Sequence, residues 1–294
     1  MSILKVIVLA IVQGLAELLP VSSSAHVVVA GKLMHLNMSS PQMTLLLVML
    51  HTGTMFAVIV YFWNQWKRTY FSSSDAFKRF AIRVIWATLL TGVIGEAINK
   101  LIEKTVFRGA PKAEIELLFD RLDLIAPALA VAGIVILIAG LMEKRRMDAH
   151  EKVYGDSVTM RQAGWIGAIQ GLCLPFRGFS RSGATISIGM LTGASKERAE
   201  RFSFALAVVL TPAVVGREVL RLVRASHEAA GTGTPIDLHG SAVASLLGAV
   251  FAFLAGLVAL RWLSSWLEGG RWYLFGIYCL VASVVVFGLY HSGY

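Results

Sequence analysis

The side chains best suited to chemistry lie close together in an apolar stretch near the N-terminus. Gln13 and Glu17 are four residues apart, so they share one helix face, and Pro20 breaks the helix soon after. The polar residues that follow are Ser22, Ser23, Ser24 and His26. Serine is a preferred helix N-cap, and the free amides and positive dipole end of a helix N-terminus favour an anion. The spacing therefore predicts a site where a carboxylate, hydroxyls and an imidazole meet.

A second stretch repeats this pattern in the other half of the chain. Gln-Gly-Leu occurs at 13–15 and at 170–172, and in both places a proline and then a serine cluster follow. The polar residues of the second cluster are Ser180, Arg181, Ser182, Gly183 and Thr185. An arginine inside a membrane is costly enough to indicate function, and its planar fork matches phosphoryl oxygens. Two helix N-termini and a guanidinium at one point predict a site for a multiply charged anion, best matched by phosphate or diphosphate.

The overall composition places both stretches in a membrane. The 294 residues are 56% hydrophobic and 15% charged, and the mean hydropathy is +0.68. A net charge of +9 would suggest nucleic-acid binding in a soluble protein. Here the cations lie mostly in loops between apolar runs, where the positive-inside rule and anionic lipid explain them. We therefore predict an all-α polytopic membrane protein that contacts membrane lipid and does not bind nucleic acid.

The apolar runs predict six full membrane spans and two re-entrant hairpins. The runs suited to spans lie near 43–65, 80–103, 120–143, 200–223, 240–265 and 271–291. The broken stretches near 3–34 and 161–195 have halves of about 8 to 17 residues, which are too short to cross alone. Broken backbone persists inside a membrane only where it faces protein, water or a ligand, so each stretch is expected to form a re-entrant helical hairpin.

The order of these elements predicts an inverted repeat within a single membrane domain covering 1–294. Each half holds one hairpin plus three spans, with halves at approximately 1–143 and 161–291. Because three spans separate the hairpins, the second enters from the face opposite the first. Inverted repeats with broken helices also build transporters, so this arrangement does not by itself indicate catalysis.

Loop charges indicate the orientation. If the first hairpin enters from outside, the loops at 67–83, 144–161 and 196–201, all rich in Lys and Arg, fall in the cytoplasm. The opposite loops are mixed in sign at 108–120 and nearly uncharged at 231–235. One orientation satisfies every loop, and it opens the predicted anion site to the outside.

Several reactions fit the residues of this site. A serine or a histidine could attack phosphorus, and Glu17 could hold a divalent cation or move a proton. His51, taken to open the first full span near the outer face, could reach the same pocket. Each residue alone has a simpler interpretation: a serine as a helix cap, His26 as a core histidine, Glu17 as the partner of a buried cation. Their occurrence together in both stretches makes a purely structural role the weaker interpretation.

At these residues the sequence resembles the bacterial undecaprenyl-diphosphatase family, the integral-membrane type associated with bacitracin resistance. The resemblance covers essentially the whole chain and depends on two motifs, residues 13–26 and residues 178–185 with their Ser-Arg-Ser core. It implies an enzyme that hydrolyses undecaprenyl diphosphate to undecaprenyl phosphate and inorganic phosphate, recycling the lipid carrier of peptidoglycan synthesis. It also implies a multi-pass protein of the bacterial inner membrane whose site opens to the periplasm.

The resemblance further implies roles for single residues. Glu17 matches the acidic motif, Ser23 the nucleophilic serine, His26 the motif histidine and Arg181 the phosphate-binding arginine. A divalent cation, Mg²⁺ or Ca²⁺, is expected with Glu17 and Gln13 as its contacts. We expect the other motif residues, together with His51, to bind the substrate; they are Ser22, Ser24, Ser180, Ser182, Gly183 and Thr185.

Two departures from the family pattern concern the shape of the pocket. Residues 175–178, Pro-Phe-Arg-Gly, replace the more usual Pro-Gly and add a cation near the break, and Ser24-Ala25 stands where Thr-Gly is frequent.

The alternative function, from a different class, is a transporter or flippase of a lipid phosphate that uses the same anion site without bond cleavage. The oligomeric state stays open, with a homodimer among the alternatives.

Overall fold

The structure, a computed structural model, describes residues 2–38, 40–105, 121–149, 157–231, 238–267 and 270–294. Within these ranges the chain forms α-helices and no strand. The helices are α1 (Ile3–Leu18), α2 (Ser23–Leu33), α3 (Pro41–Thr69), α4 (Ser74–Thr105), α5 (Leu122–Asp148), α6 (Met160–Cys173), α7 (Arg181–Leu191), α8 (Lys196–Gly231), α9 (Leu238–Leu267) and α10 (Tyr273–His291).

Six helices in the described ranges are long and apolar enough to cross a membrane. They contain the segments Gln42–Thr69, Ser74–Thr105, Leu122–Asp148, Lys196–Arg224, His239–Arg261 and Tyr273–His291. Each contains or closely matches one predicted span, which confirms an all-α polytopic membrane protein. Most of the helices extend past their apolar runs because polar end residues, such as those of 74–79, continue the helix beyond the hydrophobic stretch.

The remaining four helices are short and form the two predicted pairs. α1 and α2 have 16 and 11 residues, and α6 and α7 have 14 and 11. At about 1.5 Å per residue, even α1 extends only roughly 24 Å, less than the ~30 Å hydrocarbon layer. Their re-entrant placement in a bilayer stays a prediction.

The same turn begins α2 and α7. Ser22 (φ 66°) and Ser180 (φ 45°) are N-caps in the left-handed region, and their hydroxyls accept hydrogen bonds from the amides of Ala25 and Gly183. A left-handed non-glycine residue costs roughly 1–2 kcal/mol, so its occurrence at both breaks indicates that the surrounding contacts enforce it. The equivalence makes Ser23 and Arg181 the first residues of their helices.

Helices of one half pack against helices of the other half. α1 packs on α9 while α6 packs on α4, and α5 packs on α10. Both repeated glycines lie at these contacts: a Cβ at Gly14 would lie 2.5 Å from Ala255 Cβ, and one at Gly171 would lie 2.7 Å from the Thr91 carbonyl oxygen. A pseudo-two-fold relation between the halves would produce this pattern. The inverted repeat and its half boundaries stay predictions, and the outer loops at 108–120 and 232–235 lie outside the described residues.

One helix pair breaks this symmetry. α3 packs closely along α9, and a Cβ at Gly53 would lie only 2.1 Å from the Ala249 carbonyl oxygen. The equivalent pair, α8 and α4, makes few contacts. The halves therefore differ at the place where the cavity described below is found.

Candidate active site

Glu17, at the broken end of α1, is the centre of a buried cluster. Its Oε2 accepts hydrogen bonds from Gln13 Nε2 (3.0 Å) and from Ser23 Oγ, and lies 3.3 Å from His51 Nε2. Its Oε1 accepts a hydrogen bond from Arg181 Nη2 at 2.7 Å. The Glu17 side chain is only 6% exposed. Four helices thus bring a carboxylate, a hydroxyl, an imidazole and a guanidinium together.

The two breaks are joined directly to each other. Ser182 Oγ donates to the carbonyl oxygens of Leu19 (3.4 Å) and Glu17 (3.5 Å), so the start of α7 is tied to the end of α1. A Cβ at Gly183 would lie 2.6 Å from Ile136 Cδ1, 2.7 Å from Ser180 Oγ and 3.1 Å from the Pro20 carbonyl oxygen. Glycine is favoured here because α5, the Ser180 cap and the first break all leave little room for a side chain.

His51 reaches the cluster from a different position than expected. It does not open the first span: α3 begins at Pro41, capped by the Ser40 hydroxyl, and His51 lies well inside the helix. Its Nδ1 lies 2.9 Å from the Leu47 carbonyl oxygen, which orients Nε2 toward Glu17. The helix starts earlier because proline is well tolerated in a first helical turn.

His26 lies outside the cluster. Its ring stacks on Tyr278 of α10, its Nε2 lies 2.6 Å from Tyr278 Oη, and its Nδ1 lies 2.8 Å from the Ser22 carbonyl oxygen. Both ring nitrogens are therefore engaged in holding the first turn of α2. Tyr278 was not among the predicted residues, since an aromatic residue in an apolar helix carries no distinguishing pattern.

This pairing gives a first prediction. Tyr278→Phe keeps the ring stack but removes the hydroxyl, and we expect the free energy of unfolding to fall by about 1 kcal/mol, because one neutral hydrogen bond contributes about that much. Thermal unfolding measures the effect, and Tyr290→Phe, in an exposed position on the same helix, is the matched control. Equal stability for wild type and Tyr278→Phe would contradict a role of this hydroxyl in joining α10 to α2.

Only some of the predicted substrate-binding residues line a cavity. Ser24, Ser180 and His51 line the large cavity next to Glu17. Thr185 points elsewhere: its hydroxyl donates to the Arg181 carbonyl oxygen at 2.7 Å and lies 2.6 Å from Ser203 Oγ on α8. Thr185 thus joins α7 to α8, and its expected contact with substrate stays a prediction. Its position one turn after Arg181 gave no indication of the face it occupies.

The cavity has a volume of about 540 Å³ and extends from the cluster between α4 and α8. Its polar end contains Gln13, His51 and Arg181. Its apolar walls include Leu47, Val48, Met55, Leu174, Phe176, Ala207, Leu210 and Val214. Leu174 and Val214 are 51% and 48% exposed, so these walls continue onto the apolar outer surface of the protein. The shape suits an amphiphile with a charged head and a hydrocarbon tail.

Several residues that line this cavity have a buried polar atom without a hydrogen-bond partner among the described residues. The atoms are Gln13 Oε1, Thr88 Oγ1, Gln170 Oε1 and Arg181 Nη1. A buried polar atom without a partner costs about 1–3 kcal/mol, so four around one cavity indicate a ligand that completes them. Gln170 and Thr88 were not predicted as site residues, although the repeated Gln-Gly-Leu could have identified Gln170. Arg177, the cation added near the break, also lines the cavity.

Together these features define a class: polytopic helical membrane proteins whose broken helices enclose a buried anion site beside an apolar cavity. The family described as bacitracin resistance protein BacA matches residues 6–285, and the chain belongs to it. Undecaprenyl-diphosphatase 2 of Acinetobacter baylyi is 55% identical over 289 residues, 98% of each chain. A protein of the same name from Burkholderia thailandensis is 32% identical, and undecaprenyl-diphosphatase 1 of Burkholderia pseudomallei is 31% identical, each over 99% of both chains. The resemblance seen in the two motifs is thereby confirmed.

Proposed function

We propose that the protein removes the terminal phosphate of undecaprenyl diphosphate, giving undecaprenyl phosphate and inorganic phosphate. The observation that carries the proposal is the Ser23 hydroxyl hydrogen-bonded to Glu17, whose other partners Gln13, His51 and Arg181 line the polar end of an otherwise apolar cavity. A diphosphate head fits the cluster and an isoprenoid tail fits the walls. The names of the relatives support this lipid as substrate, and the family description supports bacitracin resistance as a consequence. The reaction would recycle the lipid carrier of peptidoglycan synthesis.

Ser23 and Glu17 have the arrangement that nucleophilic catalysis requires, with a base within hydrogen-bond distance of the nucleophile. Glu17 Oε2 takes the proton as Ser23 Oγ bonds to the terminal phosphorus. The bond from that phosphorus to the bridging oxygen breaks, and undecaprenyl phosphate leaves with the electron pair. Water then hydrolyses the phosphoserine, which releases inorganic phosphate and returns the proton to Ser23.

Charge on the transferring group is balanced by donors already in place. Arg181 uses Nη2 for Glu17 and leaves Nη1 buried without a partner at the cavity. The first turns of α2 and α7 add backbone amides and the positive ends of two helix dipoles. Donors fixed in a buried site are worth more than donors that water must reorganise around, so this arrangement favours the transition state.

The donor set also fits a divalent cation that takes part of its ligands from the substrate. Glu17 supplies a carboxylate, and Gln13 Oε1 is a buried carbonyl oxygen without a partner. Among the described residues, no three His, Cys, Asp or Glu side chains group to hold a metal by themselves. Mg²⁺ in phosphoryl-transfer sites commonly binds one or two carboxylates plus substrate phosphates. We therefore propose that Glu17 and Gln13 hold Mg²⁺ or Ca²⁺, which would neutralise phosphoryl charge.

We also propose that the site opens to the periplasmic side of the inner membrane. The cavity extends along α3 to Thr44 and along α8 to Arg217. At the other end of α3, Arg68 lies in the basic segment 67–83, and Arg201 near the start of α8 donates a hydrogen bond to Thr69 there. Because basic loops remain in the cytoplasm, the cavity end of both helices faces outward.

Cysteine labelling tests this orientation. A cysteine introduced at the exposed Ser74 is expected to react only with a reagent supplied to the cytoplasmic face, and one at Thr232, outside the described residues, only from the periplasmic face. The native Cys173 and Cys279 are buried, which keeps the background low. Reversed labelling would overturn the periplasmic opening.

Phosphate release separates the proposal from its rival. Purified protein should release inorganic phosphate from undecaprenyl diphosphate and none from undecaprenyl phosphate, since only the former has a phosphoanhydride bond. A flippase would instead move the lipid phosphate across a proteoliposome bilayer without producing phosphate. Transfer without release would replace the hydrolase proposal with the transporter.

A further inference from the structure

A second cavity, of about 510 Å³, lies at the corner between α3 and α4. Four arginines line it, together with hydroxyl-bearing side chains; the lining residues are Arg68, Thr69, Tyr70, Ser72, Ser73, Ala76, Arg79, Arg83, Ser157 and Arg201. No carboxylate occurs among these described lining residues. A cavity with this much positive charge and hydrogen-bonding capacity calls for an anion, and the described lining residues provide none.

Two of the guanidinium groups are fixed by neutral oxygens. Arg83 Nη1 donates to Ser157 Oγ at 3.1 Å, and Arg201 Nη1 donates to Thr69 Oγ1 at 2.9 Å. Arg201 Nε also donates to the Glu197 carbonyl oxygen at 3.2 Å. These bonds orient both side chains without cancelling their charge. These two arginines are thus organised in advance, as in sites that recognise phosphoryl oxygens through the guanidinium fork.

The start of α4 adds further donors. Ser73 caps the helix by accepting a hydrogen bond from the Ala76 amide at 3.1 Å, and Ser72 and Ser73 both line the cavity. The positive end of the 32-residue helix α4 adds to the field there. The Tyr70 hydroxyl group is on a buried side chain, and burial raises the pKa of this phenol, so it remains a neutral donor.

This cavity is separate from the catalytic cluster. On α3, Arg68 follows His51 by 17 residues, so the two lie roughly 25 Å apart along the helix axis. α3, α4 and α8 line both cavities, one near each end of the helices. In the proposed orientation the arginines lie at the cytoplasmic side, where basic pockets meet the anionic head groups of the inner leaflet.

We propose that the arginine cavity binds a phosphoryl anion, either the head group of an anionic phospholipid or free phosphate. The site lies beyond the reaction proposed above and has no part in bond cleavage. Its ligand would hold the α3–α4 corner against α8 and the segment before α6, which carry Arg201 and Ser157.

Two variants of the full-length protein test the proposal. Arg83→Gln/Arg201→Gln removes two charges from the cavity. Arg145→Gln/Arg161→Gln, the matched control, removes two charges from exposed positions outside the cavity. The lipid arm measures by native mass spectrometry how much phosphatidylglycerol the protein retains relative to phosphatidylcholine. The phosphate arm follows the rise in melting temperature with inorganic phosphate at constant ionic strength; the contribution of the catalytic site is common to all variants.

We expect the cavity variant to bind its probe at least about tenfold more weakly than the control, because it loses two charge-assisted contacts to the anion. A change confined to the lipid arm identifies the phospholipid as ligand, and a change confined to the phosphate arm identifies free phosphate. If the double variant does not fold, Arg79→Gln serves in its place, since Arg79 lines the cavity at an exposed position. This single variant should show a smaller loss of binding in the same arm. Equal binding by the cavity and control variants would overturn the proposal, as would an unchanged Arg79→Gln.

Discussion

Replacing Arg181 with lysine is expected to lower turnover by about a hundredfold or more, although the positive charge is kept. The two terminal nitrogens of the guanidinium have different roles. Nη2 donates to Glu17 Oε1 at 2.7 Å, and Nη1, which is buried and has no partner among the described residues, is left for the substrate. Lysine has a single ammonium group and cannot serve both positions at once. Loss of one well-placed donor to a transition-state oxyanion reduces turnover by roughly 10²–10³.

Steady-state kinetics in the same detergent or bilayer measure this effect. Arg161→Lys, at an exposed position on α6, is the control for a change from arginine to lysine and should be close to wild type. We expect the loss to fall mainly on kcat, since a point charge still attracts the diphosphate. Near-normal turnover by a folded Arg181→Lys protein would remove the role assigned to the fork.

Ser23→Ala is expected to abolish phosphate release while largely preserving substrate binding. The amides of α2 and α7 and the Arg181 guanidinium remain in place to hold the diphosphate. Removal of a nucleophile that acts together with its base commonly lowers kcat by more than about a thousandfold. Ser24→Ala, at the next residue, which lines the cavity, is the matched control and should be much milder. Ser22→Ala should cost about 1 kcal/mol of stability, because it removes the cap of α2.

The identity of the attacking group can be read from the intermediate. Rapid quench with labelled substrate should trap a phosphoserine, which survives acid, whereas a phosphohistidine would not. The structure favours Ser23 over His26, since Ser23 contacts the Glu17 carboxylate and His26 contacts Tyr278. Robust turnover by Ser23→Ala would defeat the assignment. The absence of any covalent species would favour a metal-activated water held by Glu17.

The sequence predicted local features well and distant contacts poorly. Both breaks, both serine caps and all six spans follow from proline, serine and apolar run length, which act within a few residues. Glu17 and Arg181 were also predicted to lie at one site, because broken backbone inside a membrane must face protein, water or a ligand. The stack of His26 on Tyr278 joins residues 252 apart in the chain, and no local pattern encodes it. The inward turn of Thr185 likewise depends on how α7 packs on α8.

The asymmetry between the α3–α9 and α4–α8 pairs has a kinetic consequence. A cavity of about 540 Å³ holds the diphosphate and only the first part of a long isoprenoid, so the rest of the tail must pass between α4 and α8 into the lipid. Substrate then arrives by diffusion in two dimensions, and the rate depends on its mole fraction in the bilayer instead of its bulk concentration. Diluting it with inert phospholipid slows turnover at constant total substrate. Because the protein does not contact the distal isoprene units, we expect shorter prenyl diphosphates that stay in the membrane to be turned over with nearly the same efficiency.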